Sequence, residues 1–415
     1  KYGLASTWIG LGNALIGSLL AWVILGRRTR VMSNHLGSRT MPEFFGSRYN
    51  SQALKVVASA IVFVFLVPYT ASVYNGLSRL FEMAFGIPYI YCVIGMAVLT
   101  CIYVVLGGYM ATAVNDLIQG IVMLFGIVLV IAAVLANNGG FIDAIGQLAQ
   151  IESVEAVTAG QPGAYTSFFG PDPLNLLGVV LLTSLGTWGL PQMVHKFYAI
   201  KSEKAVYTGT IISTFFALIV AGGSYFLGGF SRLYDSPAIY DAAGNIVYDS
   251  IIPTMLSTLP DVVIGVVIML VLSASMSTLA SLVLTSASTL TLDFIKGTVV
   301  KDLSEKKQMI WLRVLVAVFL LISVILAIDP PTFIAQLMGI SWGALSGAFL
   351  APFLYGLYWK RTTRAAVWAS FATGVGITVA NMFIGFIDSA INAGAITMLV
   401  SLIIVPVVSL LTKPL

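Results

Sequence analysis

Long apolar runs alternate with short polar stretches along this chain, and the runs are of membrane length. Eleven of them fall at roughly 3–26, 52–84, 88–108, 115–136, 173–198, 206–229, 261–296, 308–328, 333–357, 365–386 and 391–412. Each holds about 20 or more mainly apolar residues, which suffices for a helix to cross a bilayer. The runs are continuous rather than alternating with period two, so they do not suit barrel strands. The longest, 52–84 and 261–296, exceed a perpendicular crossing and are expected to tilt, kink or project. The predicted fold class is all-α, a polytopic membrane protein of about 11 transmembrane helices.

The polar stretches add detail. Thr40, Met41, Pro42, Glu43, Phe44, Phe45, Arg48 and Tyr49 suggest a short helix opening on proline and glutamate, its aromatics in the headgroup layer. Gly107 and Gly108 are expected to end the third run, and Asn115 to cap the fourth. Loops 137–172 and 230–260 are long and rich in Gly, Pro and Asp. Asp302, Glu305, Lys306 and Lys307 read as a solvated turn.

Composition agrees with the pattern. Of 415 residues, 58% are hydrophobic and 9% charged, and the mean hydropathy is +0.97. A soluble domain of this size has no use for so much apolar surface. Charge then fixes orientation. Of the 21 Lys and Arg residues, all but Lys1, Arg79 and Arg232 fall on one side of an alternating eleven-span layout. That side is cytoplasmic by the positive-inside rule. The net charge of +4 therefore reflects topology and gives no reason to expect a nucleic-acid partner. Cys92 and Cys101 are nine residues apart on one helix, roughly 13 Å, and cannot pair with each other. Span 3–26 contains Asn13 and Ser18 and no cleavage motif, so it reads as a true span, and the start reads as truncated.

Candidate chemistry lies inside the spans. Ala274, Ser277, Thr278 and Ser281 recur at helical spacing, continued by Thr285 and Ser288, and share one face. Hydroxyl and carbonyl oxygens are ligands for a small hard cation. The same residues are also what close helix packing uses. Asp116 sits just inside a membrane helix, where a carboxylate is costly; it is either functional or a hydrated helix start. Gly186, Thr187, Trp188, Gly189, Leu190, Pro191 and Gln192 interrupt the fifth span. Two glycines and a proline there oppose a continuous helix by several kcal/mol, on the order of their summed propensities. Such breaks expose backbone to substrate in transporters, and a simple proline kink is the alternative. Thr183, Gly186, Thr187, Trp188, Pro191 and Gln192 would line a substrate site, with Tyr69 as an aromatic wall. His35 and His195 read as solvated loop residues. No nucleophile–base pair, phosphate loop or zinc spacing occurs, so enzyme activity is not expected.

Taken together these residues resemble the sodium:solute symporter family over nearly the whole chain. The matching motifs are Thr40-x-Pro42-Glu43-Phe44 with Arg48-Tyr49; Gly107-Gly108-x-x-Ala111 with Asn115-Asp116-x-x-Gln119; Gly189-Leu190-Pro191; Met276-Ser277-Thr278-Leu279; and Leu357-Tyr358-Trp359-Lys360-Arg361. The resemblance implies a five-plus-five inverted-repeat core with peripheral helices, working by alternating access. In that register the family's first two helices are absent. Segment 1–136 would form a partial first repeat, 173–358 the second, and 359–415 the peripheral helices. By position, Ala274, Ser277 and Thr278 resemble the main sodium site. Asp116 with Ser277 and Ser281 is similar to an additional sodium site, although Ala280 stands where a serine is usual. Tyr69 resembles an aromatic of the proline transporters, whereas Thr183 and Thr187 replace their Trp and Tyr. The run Lys201-Ser202-x-Lys204-Ala205-Val206 looks more like the pantothenate branch, and Gln192 replaces a histidine usual in both.

The expected function is Na+-coupled symport of a small organic solute, such as proline or a carboxylate like pantothenate. The expected partners are the solute, the sodium ion and the lipid bilayer, with no nucleic acid and no obligate protein partner. The expected location is the bacterial inner (cell) membrane. Proton coupling through Asp116 and a non-transporting membrane sensor are the alternatives.

Overall fold

The computed structural model describes residues 1–200, 202–300 and 304–413, with side chains described except at 107–112, 203, 297 and 298. Lys201 and Asp302 therefore lie outside the described residues, as do the side chains of Gly107, Gly108 and Ala111. Among those described, the only β-structure is two isolated bridges, Tyr240 with Ile246 and Lys296 with Val300. Among the described residues ten helices are long and apolar enough to cross a membrane, or eleven when one bent pair counts as a span.

Helix α1 (Gly3–Leu36) runs further inward than the expected 3–26. Its hydrogen bonding loosens into π-turns at Asn13–Leu20 and Trp22–Gly26, and it stops at Gly37, whose φ of +65° is left-handed backbone. Helix α2 (Met41–Arg48) begins at Thr40, whose hydroxyl accepts from the Glu43 N–H at 3.1 Å, while Glu43 accepts from the Arg39 N–H at 2.7 Å. This is a variant of the capping box in which Glu43 reaches one residue past the N-cap.

The aromatics of α2 are not in a headgroup layer. Phe44, Phe45 and Tyr49 are fully buried. Phe44 meets Phe353 at 5.0 Å, and Phe45 meets Phe349 and Phe371 at 5.5 and 5.4 Å between ring centroids. Polar anchors turn this face inward. Tyr49 donates to the Pro352 carbonyl at 2.7 Å, Arg48 to the Gly356 carbonyl at 3.1 Å, and Arg364 to the Tyr49 carbonyl at 2.6 Å.

Helix α3 (Gln52–Phe85) contains Pro68 and ends at left-handed Gly86. Helix α4 (Tyr89–Asn137) carries two apolar stretches, Tyr89–Leu106 and Ala113–Asn137. Its helical backbone is continuous, so Asn115 lies within it and caps nothing. Mid-helix glycine costs only about 1 kcal/mol, too little to force an end without proline. Outside lie the short α5 (Phe141–Gln150) and its loop, where Arg232 stacks over Tyr165 and pairs with Glu155.

The fifth span is two helices, α6 (Pro173–Ser184) and α7 (Pro191–Tyr198), bent by 43° about a tight turn at Leu185–Gly189. Then come α8 (Glu203–Gly228), the short outer α9 (Ile251–Ser257) and α10 (Asp261–Thr289), which continues as a π-turn over Leu290–Val299. The chain closes with α11 (Glu305–Ile328), α12 (Ile334–Tyr358), α13 (Arg364–Ile384) and α14 (Ala390–Leu411).

Helix α12 is the centre of the bundle. In its most apolar stretch 83% of residues are buried, against 11% for Lys204–Leu233. It packs on α3, α13, α14 and the 185–189 turn. Small residues make these seams: a Cβ on Gly343 would lie 2.7 Å from the Gly394 Cα, and one on Gly374 would overlap the Ala348 backbone. Helix α10, which carries the hydroxyl stripe, packs on α3 and α4.

Candidate functional site

Ala274 and Thr278 line a cavity of about 520 Å³ together with Tyr69, Ser72, Ser275 and Asp249. Its walls are the outer half of α3, the middle of α10, the start of α12 and the 248–256 segment of the outer loop. The position follows from sequence: α3 runs outward and α10 inward, so residue 69 onward and residues up to 278 lie between mid-membrane and the outer face.

Thr278 donates its hydroxyl proton to the Ala274 carbonyl at 2.8 Å. The hydroxyl oxygen then keeps its lone pairs, which is the state a cation ligand needs. Tyr69 meets Trp342 edge to face at 5.6 Å, and its backbone carbonyl accepts from Ser72 at 2.7 Å.

Ser277 turns the other way. Its hydroxyl faces the Asp116 carboxylate, near which Lys196 adds positive charge. Oδ1 of Asp116 is buried and has no hydrogen-bond partner. Ser281 is half-buried and makes no hydrogen bond among the described residues. One residue before Ser277, the Met276 carbonyl accepts from Tyr103 of α4, tying α4 to the stripe helix. The stripe therefore serves two places, Ala274 and Thr278 at the cavity and Ser277 at Asp116.

The broken span is where the glycine and proline pattern put it. Leu190 is extended (φ −85°, ψ 119°), as a residue before proline prefers, and Pro191 opens α7. The Gly186 carbonyl, in the 3-10 turn that breaks the span, accepts from Ser346 of α12 at 2.7 Å. Gly189 is required because a Cβ would lie 2.8 Å from the Leu350 Cβ and 2.9 Å from its nitrogen.

The side chains of the break are engaged elsewhere. Thr183 donates to the Val179 carbonyl, Thr187 to the Ser184 carbonyl, and Trp188 to the Ile16 carbonyl at 2.9 Å. Pro191 is buried at the start of α7. Gln192 is buried with neither amide atom partnered. None of these residues is among those lining the cavity of Tyr69, Ala274 and Thr278.

Three groups escaped sequence reasoning. Trp342 backs Tyr69, and nothing in its local pattern pairs the two. Asp249 accepts from Asn75 at 3.2 Å and from the Ile334 N–H at 3.2 Å, while Tyr248 stacks on Phe333 at 4.9 Å, so the outer loop is tied to α3 and α12. Burial pushes the Asp249 carboxyl above its ordinary range, against the Ile334 N–H, Arg79 and Asn75, which favour the anion. Asp293 was legible by the logic applied to Asp116, a lone carboxylate in an apolar run. It is completely buried, accepting from Thr40 at 2.6 Å with Lys55 at 3.6 Å.

Known proteins resemble this chain in sequence and fold. The profile of the sodium:solute symporter family matches residues 1–376. The sodium/proline symporter of Haemophilus influenzae is 30% identical over 379 residues, 90% of this chain and 73% of that protein. Those of Escherichia coli and Staphylococcus aureus are 28% and 27% identical, covering 90% and 99% of this chain and 73% and 80% of theirs. A Na+-coupled sialic acid symporter, solved substrate-bound and outward-open, superposes with a TM-score of 0.75 at 16% identity, over 100% of this chain and 84% of that one. That likeness speaks for the fold. With the profile covering most of its length, this chain belongs to the sodium:solute symporter family.

Proposed function

We propose that Ala274, Ser277 and Thr278 supply the main site for the coupling sodium ion, beside a solute chamber walled by Tyr69. The coupling itself is a family property: the protein is an integral membrane, sodium-coupled symporter of a small solute. The observation that carries the site assignment is that Ala274 and Thr278 share one cavity with Tyr69. The Thr278 hydroxyl, its proton committed to the Ala274 carbonyl, and an aromatic wall then belong to residues lining the same space. That supports an ion and a small solute held side by side. The ion favours the state with this cavity open outward, and solute binding shifts the population toward closure.

The solute class we favour is a small amino acid or carboxylate. Proline heads the candidates because the similar curated proteins are sodium/proline symporters. The residues of the broken span would reach it only once the span moves toward Tyr69. Asp116 with Ser277, and with Ser281 in a rotated side-chain state, forms the proposed second ion site; the partnerless Oδ1 of Asp116 supports it. In this reading 1–136 and 173–358 are inverted halves, 359–415 is peripheral, and the protein works in the bacterial inner membrane without catalysing a chemical reaction.

The test is binding to purified protein of radiolabelled proline, pantothenate and glucose, each with and without Na+. Sodium-dependent binding of one, lost in Thr278→Val, supports the site. Sodium dependence unchanged in Thr278→Val and Ser277→Ala overturns it.

A further inference from the structure

We infer that Asp293, held by Thr40 and Lys55, is the latch that keeps the cytoplasmic side of the transport path closed. The inference rests on the sodium-site reading above for its link to the ion. Asp293 lies in the π-turn that ends the helix bearing Ala274 and Thr278, fifteen residues and roughly 22 Å inward of Thr278. Its Oδ2 accepts from the Thr40 hydroxyl at 2.6 Å, and Lys55 of α3 approaches Oδ1 at 3.6 Å. The carboxylate thus ties three separate pieces of chain: the inner end of the ion-binding helix, the start of α2 and the inner start of α3.

The anchor is itself fixed. Thr40 is the N-cap of α2, and α2 is sewn to α12 through Phe45, Tyr49 and Arg48. Motion of the inner end of α10 away from this rigid piece must break the Thr40 bond and the Lys55 pair. A fully buried carboxylate needs such partners. On separation it would be stable only if water reaches it.

A second observation points the same way. Some of the buried polar atoms without partners lie outward of the latch, on helices that both run inward. They include both amide atoms of Gln192 on α7 and the Ser286 hydroxyl of α10. Helices α7 and α10 touch here. Buried polar groups are ordinarily bonded, and orphans call for a reason. Hydration in an inward-open state supplies one. Inner-side cavities of about 510 and 480 Å³ meet at Gly37 and Arg39, immediately before Thr40, and stop at this barrier. The latch is a positioning device, acting through helix placement and not by touching the ion or solute.

The experiment uses the full chain with Cys92 and Cys101 replaced by alanine and a reporter, Ser286→Cys, on the protected side of the latch. Inside-out vesicles are treated with a membrane-impermeant maleimide, with and without Na+. In the parent, Na+ slows labelling. Asp293→Asn and Thr40→Val are each expected to speed labelling at least tenfold and to blunt its slowing by Na+, whereas Thr40→Ser behaves as the parent. If Asp293→Asn does not accumulate, Thr40→Val against Thr40→Ser carries the comparison. Parent-like labelling in the variants that accumulate overturns the latch. Faster labelling in them, in a parent indifferent to Na+, keeps the latch and overturns the sodium site.

Discussion

Thr278 hands its hydroxyl proton to the carbonyl oxygen of Ala274, 2.8 Å away and one turn back in the same helix. In lipid this bond satisfies the hydroxyl where no water would. It also orients the oxygen, leaving only acceptor capacity toward the cavity that both residues line. Thr278→Val keeps shape and removes that oxygen. The half-saturating Na+ concentration for uptake is expected to rise at least tenfold, about 1.4 kcal/mol, with Thr278→Ser near the parent. Uptake measured over a range of Na+ concentrations decides it.

Trp188 was expected to face substrate, yet its indole N–H is bound to the Ile16 carbonyl at 2.9 Å. Trp188→Phe is therefore expected to lower stability by about 1 kcal/mol, the net worth of one hydrogen bond. The solute KM should change less than twofold. Thermal unfolding in detergent and an uptake titration measure the two effects separately.

How much was readable beforehand divides along physical lines. Apolar run length agrees with the ten or eleven membrane-length helices among the described residues, because a bilayer imposes that length on sequence directly. The break at 185–190 was readable because Gly186, Gly189 and Pro191 act through local backbone energetics. The burial of Phe44 and Phe45 was not. Short amphipathic segments at a membrane edge carry the same composition whether they face lipid or protein, and only the bonds from Tyr49, Arg48 and Arg364 turn this one inward. The pairing of Tyr69 with Trp342 was equally hidden, since the contact joins helices 273 positions apart in sequence.

Asp249 gives the outer loop a pH dependence. Burial raises its carboxyl above the usual 3.8, the value expected of the unfolded chain. Below that value both states are protonated and its contribution to stability is greatest. As pH rises from 3.8 toward the raised folded value, the unfolded chain ionises first, so stability falls. Asp249→Asn should flatten that slope. Melting temperatures taken in steps upward from pH 4 test it; an identical slope in variant and parent would count against it.

Gly374 has no room for a methyl group, since the obstacle is the backbone of Ala348. Gly374→Ala should destabilise the protein by about 1–3 kcal/mol, the usual range for overpacking. Gly376 two residues on in the same helix has open space around it, so Gly376→Ala should instead stabilise by up to about 1 kcal/mol.

The glycine seams joining α12 to α13 and α14 also say which parts of the machine stay still. Backbones pressed that closely have no long side chains between them to act as bearings, so sliding one past another would drive main chain into main chain. The three helices behave as a single slab, with α2 riveted to its inner edge. Whatever rocks during a transport cycle has to rock against that slab, and the freedom to do so belongs to the helices whose contacts with it are made by larger, deformable side chains.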